Sequence, residues 1–351
     1  MSFIARPKVM QLALPSNELG LTLRDYEGGM STLCAGCGHD SVSSAIAQAF
    51  FELSIAPHRA AKLSGIGCSS KTPAYFMQQS HGINAVHGRM PAVATGASAA
   101  NRDINVLGVS GDGDSLSIGL AHFVHAMRRN LNMVYILENN GVYGLTKGQF
   151  SASADVGSTA KGGGANNQQP IDPLMMALSG GGTFVARSFS GDKNQLVPLI
   201  KAGLEHPGFA LIDVISPCVT FNDHVGSTKS YLHMRDASRE LVHTDFVPHA
   251  EAIEVELAPA GVTPVTLHDG SQILMRQTDK NYDPSDRGGA FSAVLDHQNR
   301  GEILTGLIYL NAESSDMHAT NNTAATPLTE VPFATLCPGK DKLDALMAGY
   351  E

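Results

Sequence analysis

Blocks of apolar residues with two different periods alternate along the first two thirds of the chain. Apolar positions at helical spacing predict a helix from Asp40, as its cap, to Leu53, and Pro57 lies beyond its end. Short apolar runs predict strands at 61–66, 104–110, 133–137, 183–187 and 210–215. Further helices are predicted at 90–100, 117–130 and 193–205. Helices that alternate with buried strands predict an α/β fold with a doubly wound, mostly parallel sheet.

The character of the sequence changes on either side of this pattern. We divide the chain into a lead-in (1–30), a domain with the helix–strand pattern (31–245) and a C-terminal extension (246–351). The extension has short alternating stretches at 253–257 and 303–310 and a last predicted helix at 341–348. Small polar residues at 151–170 predict a long loop, of the kind that usually belongs to a functional site.

Charge and hydropathy argue against a nucleic-acid-binding protein and against a membrane-spanning protein. The 351 residues contain 24 Lys and Arg against 33 Asp and Glu, a net charge of -9, and no basic run that would suit a nucleic acid. Gly, Ser or charged residues interrupt every apolar stretch before the ~18 residues that a membrane span needs. The first residues make a poor signal peptide. We therefore expect a soluble cytoplasmic protein.

The five cysteines are candidate metal ligands. An odd number in a long chain of this composition speaks against a disulfide framework. Cys34 and Cys37 form a CxxC pair, and together with Cys68 and Cys218 they could surround either Zn²⁺ or an iron–sulfur cluster. Cys337 precedes a proline in the tail and is interpreted as a bystander. From spacing alone, buried thiols without a metal remain an alternative.

Two polar motifs follow consecutive predicted strands. Gly111-Asp112-Gly113-Asp114 ends one strand, and Glu138-Asn139-Asn140 ends the next. A glycine-rich turn before a helix offers backbone N–H groups to a diphosphate. Asp112 and Asn140 supply the hard oxygen ligands that Mg²⁺ prefers, and both lie at the same edge of a parallel sheet. The alternative is two unrelated turns.

The segment GDGDSLSIG with the later LENN resembles the signature of thiamine-diphosphate enzymes. The resemblance implies that Asp112, Asn140 and the backbone carbonyl of Val142 bind Mg²⁺. It also implies a set of residues around the diphosphate, the thiazolium ring or both: Ile66, Gly67, Cys68, Ser69, His87, Gly111, Gly113, Asp114, Gly144 and Leu145.

CAGCGH, GIGCS and a later lone cysteine, combined with that signature, resemble the beta subunit of 2-oxoacid:ferredoxin oxidoreductases. Segments of the tail, NYDPSDRGGAF and GEILTGLIYL, are similar to the 2-oxoglutarate type. The resemblance implies that Cys34, Cys37, Cys68 and Cys218 hold one [4Fe–4S] cluster beside the thiamine diphosphate. It implies coenzyme-A-dependent oxidative decarboxylation of 2-oxoglutarate to succinyl-CoA, with reduction of ferredoxin, reversible as a reductive carboxylation.

From its length, we expect the chain to have no room for both domains that usually enclose thiamine diphosphate in addition to the C-terminal extension. We expect an alpha subunit to supply the glutamate that activates the cofactor, and also the coenzyme A site, in an αβ unit that pairs to (αβ)₂. A separate ferredoxin would take electrons directly from the single cluster.

Lys71, three residues after Cys68, is the candidate for pairing with the distal carboxylate of 2-oxoglutarate, against the alternative of a solvated lysine. Pyruvate or a branched-chain 2-oxoacid is the alternative substrate. A non-oxidative thiamine-diphosphate decarboxylase would need no cysteine quartet. A zinc-stabilised binding module without chemistry is the alternative from a different class.

Overall fold

The computed structural model describes residues 14–159, 164–243 and 282–350 in full, and the backbone of 262–266 and 272–276. The strands are β1 (Ala60–Ser64), β2 (His81–Asn84), β3 (Asn105–Gly111), β4 (Met133–Asn139), β5 (Val142–Tyr143), β6 (Gln149–Phe150), β7 (Phe184–Phe189), β8 (Phe209–Ile215), β9 (Ser238–Val242), β10 (Val262–Thr266), β11 (Gln272–Arg276) and β12 (Ile303–Leu310). The helices are α1 (Gly38–Glu52), α2 (Met90–Ala100), α3 (Leu120–Arg128), α4 (Pro173–Gly180), α5 (Lys193–Glu205), α6 (Tyr231–Ala237), α7 (Arg287–Asn299), α8 (Met317–Asn321), α9 (Phe333–Leu336) and α10 (Lys340–Met347).

Eight of these strands form one sheet in the order β2-β1-β3-β4-β8-β7-β12-β9. The first six, from β2 to β7 in this order, are parallel to one another. β12 runs antiparallel to β7 and parallel to β9. The predicted α/β fold with a doubly wound, mostly parallel sheet is confirmed.

Helices cover both faces of the sheet. On one face α1 and α5 pack against the central strands through buried aliphatic residues such as Ile46 and Leu199. On the other face α2, α3, α4 and α7 bury residues such as Phe123 and Leu174. A sheet covered on both faces requires strands that are apolar almost throughout, and β4 and β8 are buried along their whole length.

The structure corrects two details of the predicted helices. Asp40 does not cap α1; the helix begins at Gly38, with Cys37 as the N-cap residue, so Asp40 lies in the first turn. The helix predicted at 117–130 is shorter, because a π-helical turn at Gly113–Ile118 precedes α3. In that turn the Gly119 N–H donates to the Asp114 carbonyl at 2.8 Å.

The C-terminal extension contributes a strand and a helix to the main body. β12 occupies the stretch predicted at 303–310, and α7 packs against it and against α4. The last predicted helix is α10. The stretch predicted at 253–257 lies outside the described residues, as do residues 1–13 of the lead-in. The division into three parts remains a prediction.

The carboxyl ends of β1, β3 and β4 meet at one edge of the sheet, where parallel α/β sheets usually bind ligands. Within the described part of the chain, no helix is long and apolar enough to cross a membrane.

Candidate functional site

One cleft at this edge collects every residue predicted to bind the cofactor or magnesium. Its walls include Ile66, Gly67, Cys68, Ser69, His87, Gly111, Asp112, Gly113, Asp114, Asn140, Val142, Gly144 and Leu145. His39, Tyr143 and Thr146 complete the lining. Four loops, after β1, β2, β3 and β4, therefore converge on a single site.

Asp112 is 1% exposed, and donors gather on one oxygen of its carboxylate. Oδ2 accepts hydrogen bonds from the Gly141 N–H at 3.0 Å and from the hydroxyls of Ser151 and Ser153. These contacts all fall on Oδ2, and among the described residues no hydrogen bond is made to Oδ1, which is therefore open to a ligand. The loop at 151–170, expected to belong to a site, thus reaches the site through its first residues.

A tight turn presents the other two predicted magnesium ligands. The Val142 N–H donates to Asn140 Oδ1 at 3.0 Å, which leaves the second lone pair of that oxygen available. Asn222 Nδ2 donates to the Asn140 carbonyl at 2.8 Å from outside the turn. Gly141 has a φ of +77°, and a Cβ there would lie 2.8 Å from Asn222 Nδ2. Only glycine makes this turn without strain.

Asp114 joins the loops to one another. Oδ1 accepts hydrogen bonds from the N–H groups of Gly88 at 2.8 Å and Ile66 at 3.2 Å, and it pairs with His87. Oδ2 accepts from the Ser110 hydroxyl at 2.6 Å. Its carboxylate is thus occupied by the protein; direct contact with a diphosphate stays a prediction.

Two observations test whether thiamine diphosphate fits this cleft. Tyr143 covers Gly113 so closely that a Cβ there would collide with its ring, and its Oη donates to the Gly113 carbonyl at 3.0 Å. The Ser69 hydroxyl is buried, borders the cleft and has no hydrogen-bond partner among the described residues. A cofactor with acceptor oxygens or nitrogens would satisfy it. The residues fit the group. Tyr143 is not predicted from the sequence, because a tyrosine after an Asn-Gly turn carries no distinguishing signal.

Next to the cleft lies the cysteine group, which we define as Cys34, Cys37, Cys68 and Cys218. A Cβ on Gly144 would lie 3.3 Å from the Cys68 sulfur and 3.6 Å from the Cys218 sulfur, so both sulfurs face the same glycine. Burial raises the pKa of the Cys37 thiol to about 12, and Cys218 contributes to that rise. Burial also raises the pKa of Cys68, with smaller contributions from Cys218 and Cys34. The thiols are therefore electrostatic neighbours.

The cysteine group does not form a closed ligand sphere. Among the described residues, no three His, Cys, Asp or Glu side chains are arranged to hold a metal ion. Cys34 is exposed and the other three are half-buried. Four thiols are nevertheless the donor set that an iron–sulfur cluster takes, so the residue types fit such a cluster. Cys337, the predicted bystander, is exposed between α9 and α10.

A buried acid and base lie between the two regions. Glu138 is fully buried, and its oxygens make no hydrogen bond among the described residues. His39 Nδ1 lies 3.5 Å from Glu138 Oε2 and 2.6 Å from Ser216 Oγ. Burial, with a contribution from Asp40, raises the pKa of Glu138, and burial lowers the pKa of His39 to about 4. From the sequence alone, Glu138 is only a member of the Glu138-Asn139-Asn140 motif, without a predicted role.

Lys71 lies in the 3₁₀ turn Ser69–Ala74 and is half-buried. Lys71 does not line the cleft. Its positive charge partly offsets the rise that burial causes in the pKa of Cys68. Its role in recognising a substrate stays a prediction.

Comparison with known proteins adds the family. Residues 65–214 match the family described as thiamine pyrophosphate enzyme, C-terminal TPP binding domain. The chain is 46% identical over 191 residues to a 2-oxoacid:ferredoxin oxidoreductase subunit beta from Sulfolobus sp, a match that covers 54% of this chain and 63% of that protein. It is 41% identical over 191 residues to the 2-oxoglutarate synthase subunit KorB of Methanocaldococcus jannaschii, covering 54% of this chain and 69% of that one.

A solved structure agrees with these relatives. The 2-oxoglutarate:ferredoxin oxidoreductase from Magnetococcus marinus, with 2-oxoglutarate, coenzyme A and succinyl-CoA bound, superposes with a TM-score of 0.71 at 30% identity. The superposition covers 93% of this chain and 96% of that chain. The chain spans 60–66% of the length of three archaeal beta subunits that it matches. The cleft and the matched sequences together show that this chain belongs to the family of beta subunits of 2-oxoacid:ferredoxin oxidoreductases.

Proposed function

We propose that this chain is the cofactor-binding beta subunit of a 2-oxoglutarate:ferredoxin oxidoreductase. The observation that carries the proposal is the cleft itself, which gathers the predicted diphosphate and magnesium residues and shares Cys68 with the cysteine group. The reaction would be the coenzyme-A-dependent oxidative decarboxylation of 2-oxoglutarate to succinyl-CoA and CO₂, with reduction of ferredoxin. The printed names of the KorB relatives and the ligands of the solved neighbour support this substrate.

Three cofactors belong to the proposal. Asp112 Oδ1, Asn140 Oδ1 and the Val142 carbonyl would hold Mg²⁺, and the cysteine group would hold one [4Fe–4S] cluster. Bound thiamine diphosphate would supply the chemistry for decarboxylation of a 2-oxoacid, and a bound cluster held by the cysteine group would supply a one-electron acceptor.

The chain's own residues bind and orient. Gly113 accepts the close packing of the Tyr143 ring, which holds the backbone after β3 in place, and the backbone of Gly111 would accept the approach of a diphosphate. Asp114 keeps the loops after β1 and β3 at a fixed separation through its hydrogen bonds. Burial, with a contribution from Asp40, raises the pKa of Glu138, which reduces the tendency of this carboxyl to carry a charge beside the cysteine group.

An alpha subunit, ferredoxin and a cytoplasmic location complete the proposal. Apolar side chains stand exposed around the cleft: Val86 is 76% exposed, Leu145 49% and Ile118 46%. A protein surface that covers the cleft would bury them. We expect the alpha subunit to bring the activating glutamate and the coenzyme A site, and the αβ unit to pair to (αβ)₂.

Lys71 is the proposed recognition residue for the distal carboxylate of 2-oxoglutarate. Lys71→Met should raise KM for 2-oxoglutarate much more than KM for pyruvate, because pyruvate has no second carboxylate. Steady-state kinetics of the αβ complex measure both constants. Equal changes for the two substrates would rule this role out.

The test of the whole proposal is metal analysis of the chain purified without oxygen. We expect a brown protein with a broad band near ~400 nm and about four irons and four sulfides per chain. Co-expression with the alpha subunit and a panel of 2-oxoacids would then establish the substrate. One zinc and no iron would remove the electron path and leave a zinc-stabilised binding module or a non-redox thiamine-diphosphate protein.

A further inference from the structure

A line of polar contacts leads from the proposed magnesium ligand to the C-terminal extension. We call it the polar relay; its members, from the cleft outward, are Asp112, Ser153, Asn139, Asp213, Arg187, Asp172 and Gln298. It crosses the sheet at its carboxyl edge and ends on α7.

The inner end of the relay is a serine between two acceptors. Ser153 is 2% exposed, and its hydroxyl oxygen lies 2.5 Å from Asp112 Oδ2 and 2.9 Å from Asn139 Oδ1. A hydroxyl has one hydrogen, so the two acceptors share it, and the charged carboxylate takes the larger part. The position of Asn139 therefore decides where the Ser153 oxygen sits relative to Asp112.

The middle of the relay is buried charge. Asn139 Nδ2 donates to Asp213 Oδ1 at 3.1 Å, and Arg187 Nε donates to Asp213 Oδ2 at 2.6 Å. Arg187 and Asp213 stand directly opposite each other in the β7–β8 ladder. Asp213 is fully buried and Arg187 is 6% exposed, so bulk water does not screen this pair.

The outer end of the relay reaches the extension. Arg187 Nη2 donates to Asp172 Oδ2 at 2.9 Å, and Gln298 Nε2 donates to the same oxygen at 2.6 Å. Asp172 Oδ1 meanwhile caps α4 by accepting from the N–H groups of Leu174 and Met175. The attraction of Arg187 outweighs burial and lowers the pKa of Asp172, so this carboxylate is charged.

Stability does not require such an arrangement. Apolar residues of similar volume usually stabilise a core at least as well as a buried ion pair, because desolvation cancels much of the attraction. The relay instead gives one orientation to each member, and its inner end touches the one carboxylate that the proposed function assigns to Mg²⁺. Partners behind a metal ligand commonly set its geometry.

We propose that Ser153 is a positioning residue for Asp112 and that the relay lets the extension, through Gln298, tune the affinity of the cleft for its divalent cation. This inference rests on the proposed function. It assigns a role to residues outside the cleft.

The experiment uses the complex of this chain with its alpha subunit, stripped of divalent cations and supplied with thiamine diphosphate. Mn²⁺ serves as the probe, and the free ion is measured by electron paramagnetic resonance. Ser153→Ala should weaken Mn²⁺ binding by about 10- to 100-fold, the usual effect of losing a partner behind a ligand. Ser188→Ala is the matched control: Ser188 is equally buried next to Arg187, but its hydroxyl donates to Gln195, outside the relay.

The outer end is tested in the same assay. Gln298→Ala should weaken Mn²⁺ binding a few-fold, in the range of long-range coupling. Asn299→Ala, at the neighbouring exposed position, should leave it unchanged. Because Gln298 is exposed, its variant folds even if Ser153→Ala does not.

The results separate the two proposals. Wild-type affinity in either Ser153→Ala or Gln298→Ala, with a wild-type melting temperature, overturns the relay and leaves the proposed function standing. A wild-type complex that binds no Mn²⁺ overturns the magnesium site itself, and the relay with it.

Discussion

The cleft and the cysteine group are neighbours that are organised in opposite ways. In the cleft, Asp112 and Asn140 are 1% and 5% exposed and already hydrogen-bonded by the protein. In the cysteine group, Cys34 is exposed and, among the described residues, no closed ligand sphere exists. The protein orders the side chains of the first region by itself, whereas in the second region the proposed cluster would have to bring the thiols together.

The difference follows from the chemistry of the ligands. Carboxylate and amide oxygens find donors within a protein, so they can be fixed before any ion arrives. Protonated thiols are weak partners for one another, and burial keeps Cys37 protonated by raising its pKa to about 12. Loss of a ligand should therefore have different consequences in the two regions.

The largest expected effect is in the cysteine group. Cys218→Ser should reduce iron from about four atoms per chain to less than about one, because a cubane that loses a thiolate ligand is poorly held. Oxidoreductase activity of the αβ complex should fall with it, while the melting temperature of the chain purified without metal stays the same. Iron analysis and circular dichroism measure the two. Cys337→Ser, in the exposed tail, is the control and should keep all its iron.

A substitution at the proposed magnesium ligand in the cleft should weaken magnesium binding and leave the iron content unchanged. Asp112→Asn should weaken binding of Mg²⁺ by about 100-fold or more, since even partners behind a ligand contribute 10- to 100-fold. Iron content should stay at the wild-type level. Titration with Mg²⁺ in the presence of thiamine diphosphate gives the affinity, and Asp103→Asn, at an exposed position, is the control. Loss of iron in the Asp112 variant would show that the two regions are not independent.

The packing of the cleft is tested by a substitution with a smaller expected effect. Gly113→Ala should lower the free energy of unfolding by about 1–3 kcal/mol, because the new methyl group collides with the Tyr143 ring. Gly96→Ala is the matched control. Gly96 lies within α2 with no other atom near its would-be Cβ, so alanine should raise the free energy of unfolding by about 0.5–1 kcal/mol. Urea denaturation measures both, and equal signs would contradict the prediction.

The smallest expected effect concerns His206, at the C-terminal end of α5. Burial lowers the pKa of His206 to about 4, against about 6.5 in an unfolded chain. The unfolded chain thus binds more protons between these values, so stability is complete above pH 6.5 and falls as the pH falls toward 4. His206 should account for a loss of about 1–2 kcal/mol between pH 7 and pH 5.

His206→Gln can keep the contact with Thr183 Oγ1, 2.8 Å from His206 Nε2, without the titration. Urea denaturation at the two pH values should show a smaller loss in this variant than in the wild type. A control variant at the exposed His58 should behave as the wild type. An identical loss in the wild type and His206→Gln would remove His206 as the cause.

Regular patterns predicted most of the fold. The helices at 90–100 and 193–205 lie where the apolar spacing predicts them, because α2 and α5 each bury one face against the sheet. α7 was missed, since its apolar residues have no helical period and only Ala290 and Val294 are buried. β2 was missed because all four of its residues are exposed at the sheet edge.

The residues of the candidate site also fall into two groups, those that the sequence predicts and those that it does not. Residues in motifs, such as Asp112 and Asn140, were found because their types and spacing are distinctive. Tyr143, Ser153 and Arg187 were not, because their importance comes from partners far away in the sequence. A buried serine looks like any other serine until its neighbours are known.

The insertion of β12 between β7 and β9 has a consequence for biosynthesis. The edge of β7 pairs with a strand that is made more than a hundred residues later, so a nascent chain carries an open parallel sheet until residues 303–310 leave the ribosome. An unprotected strand edge is a template for pairing with other chains. Synthesis of this protein therefore includes a period in which the edge of β7 is open to aggregation, and that period ends when β12 pairs with it.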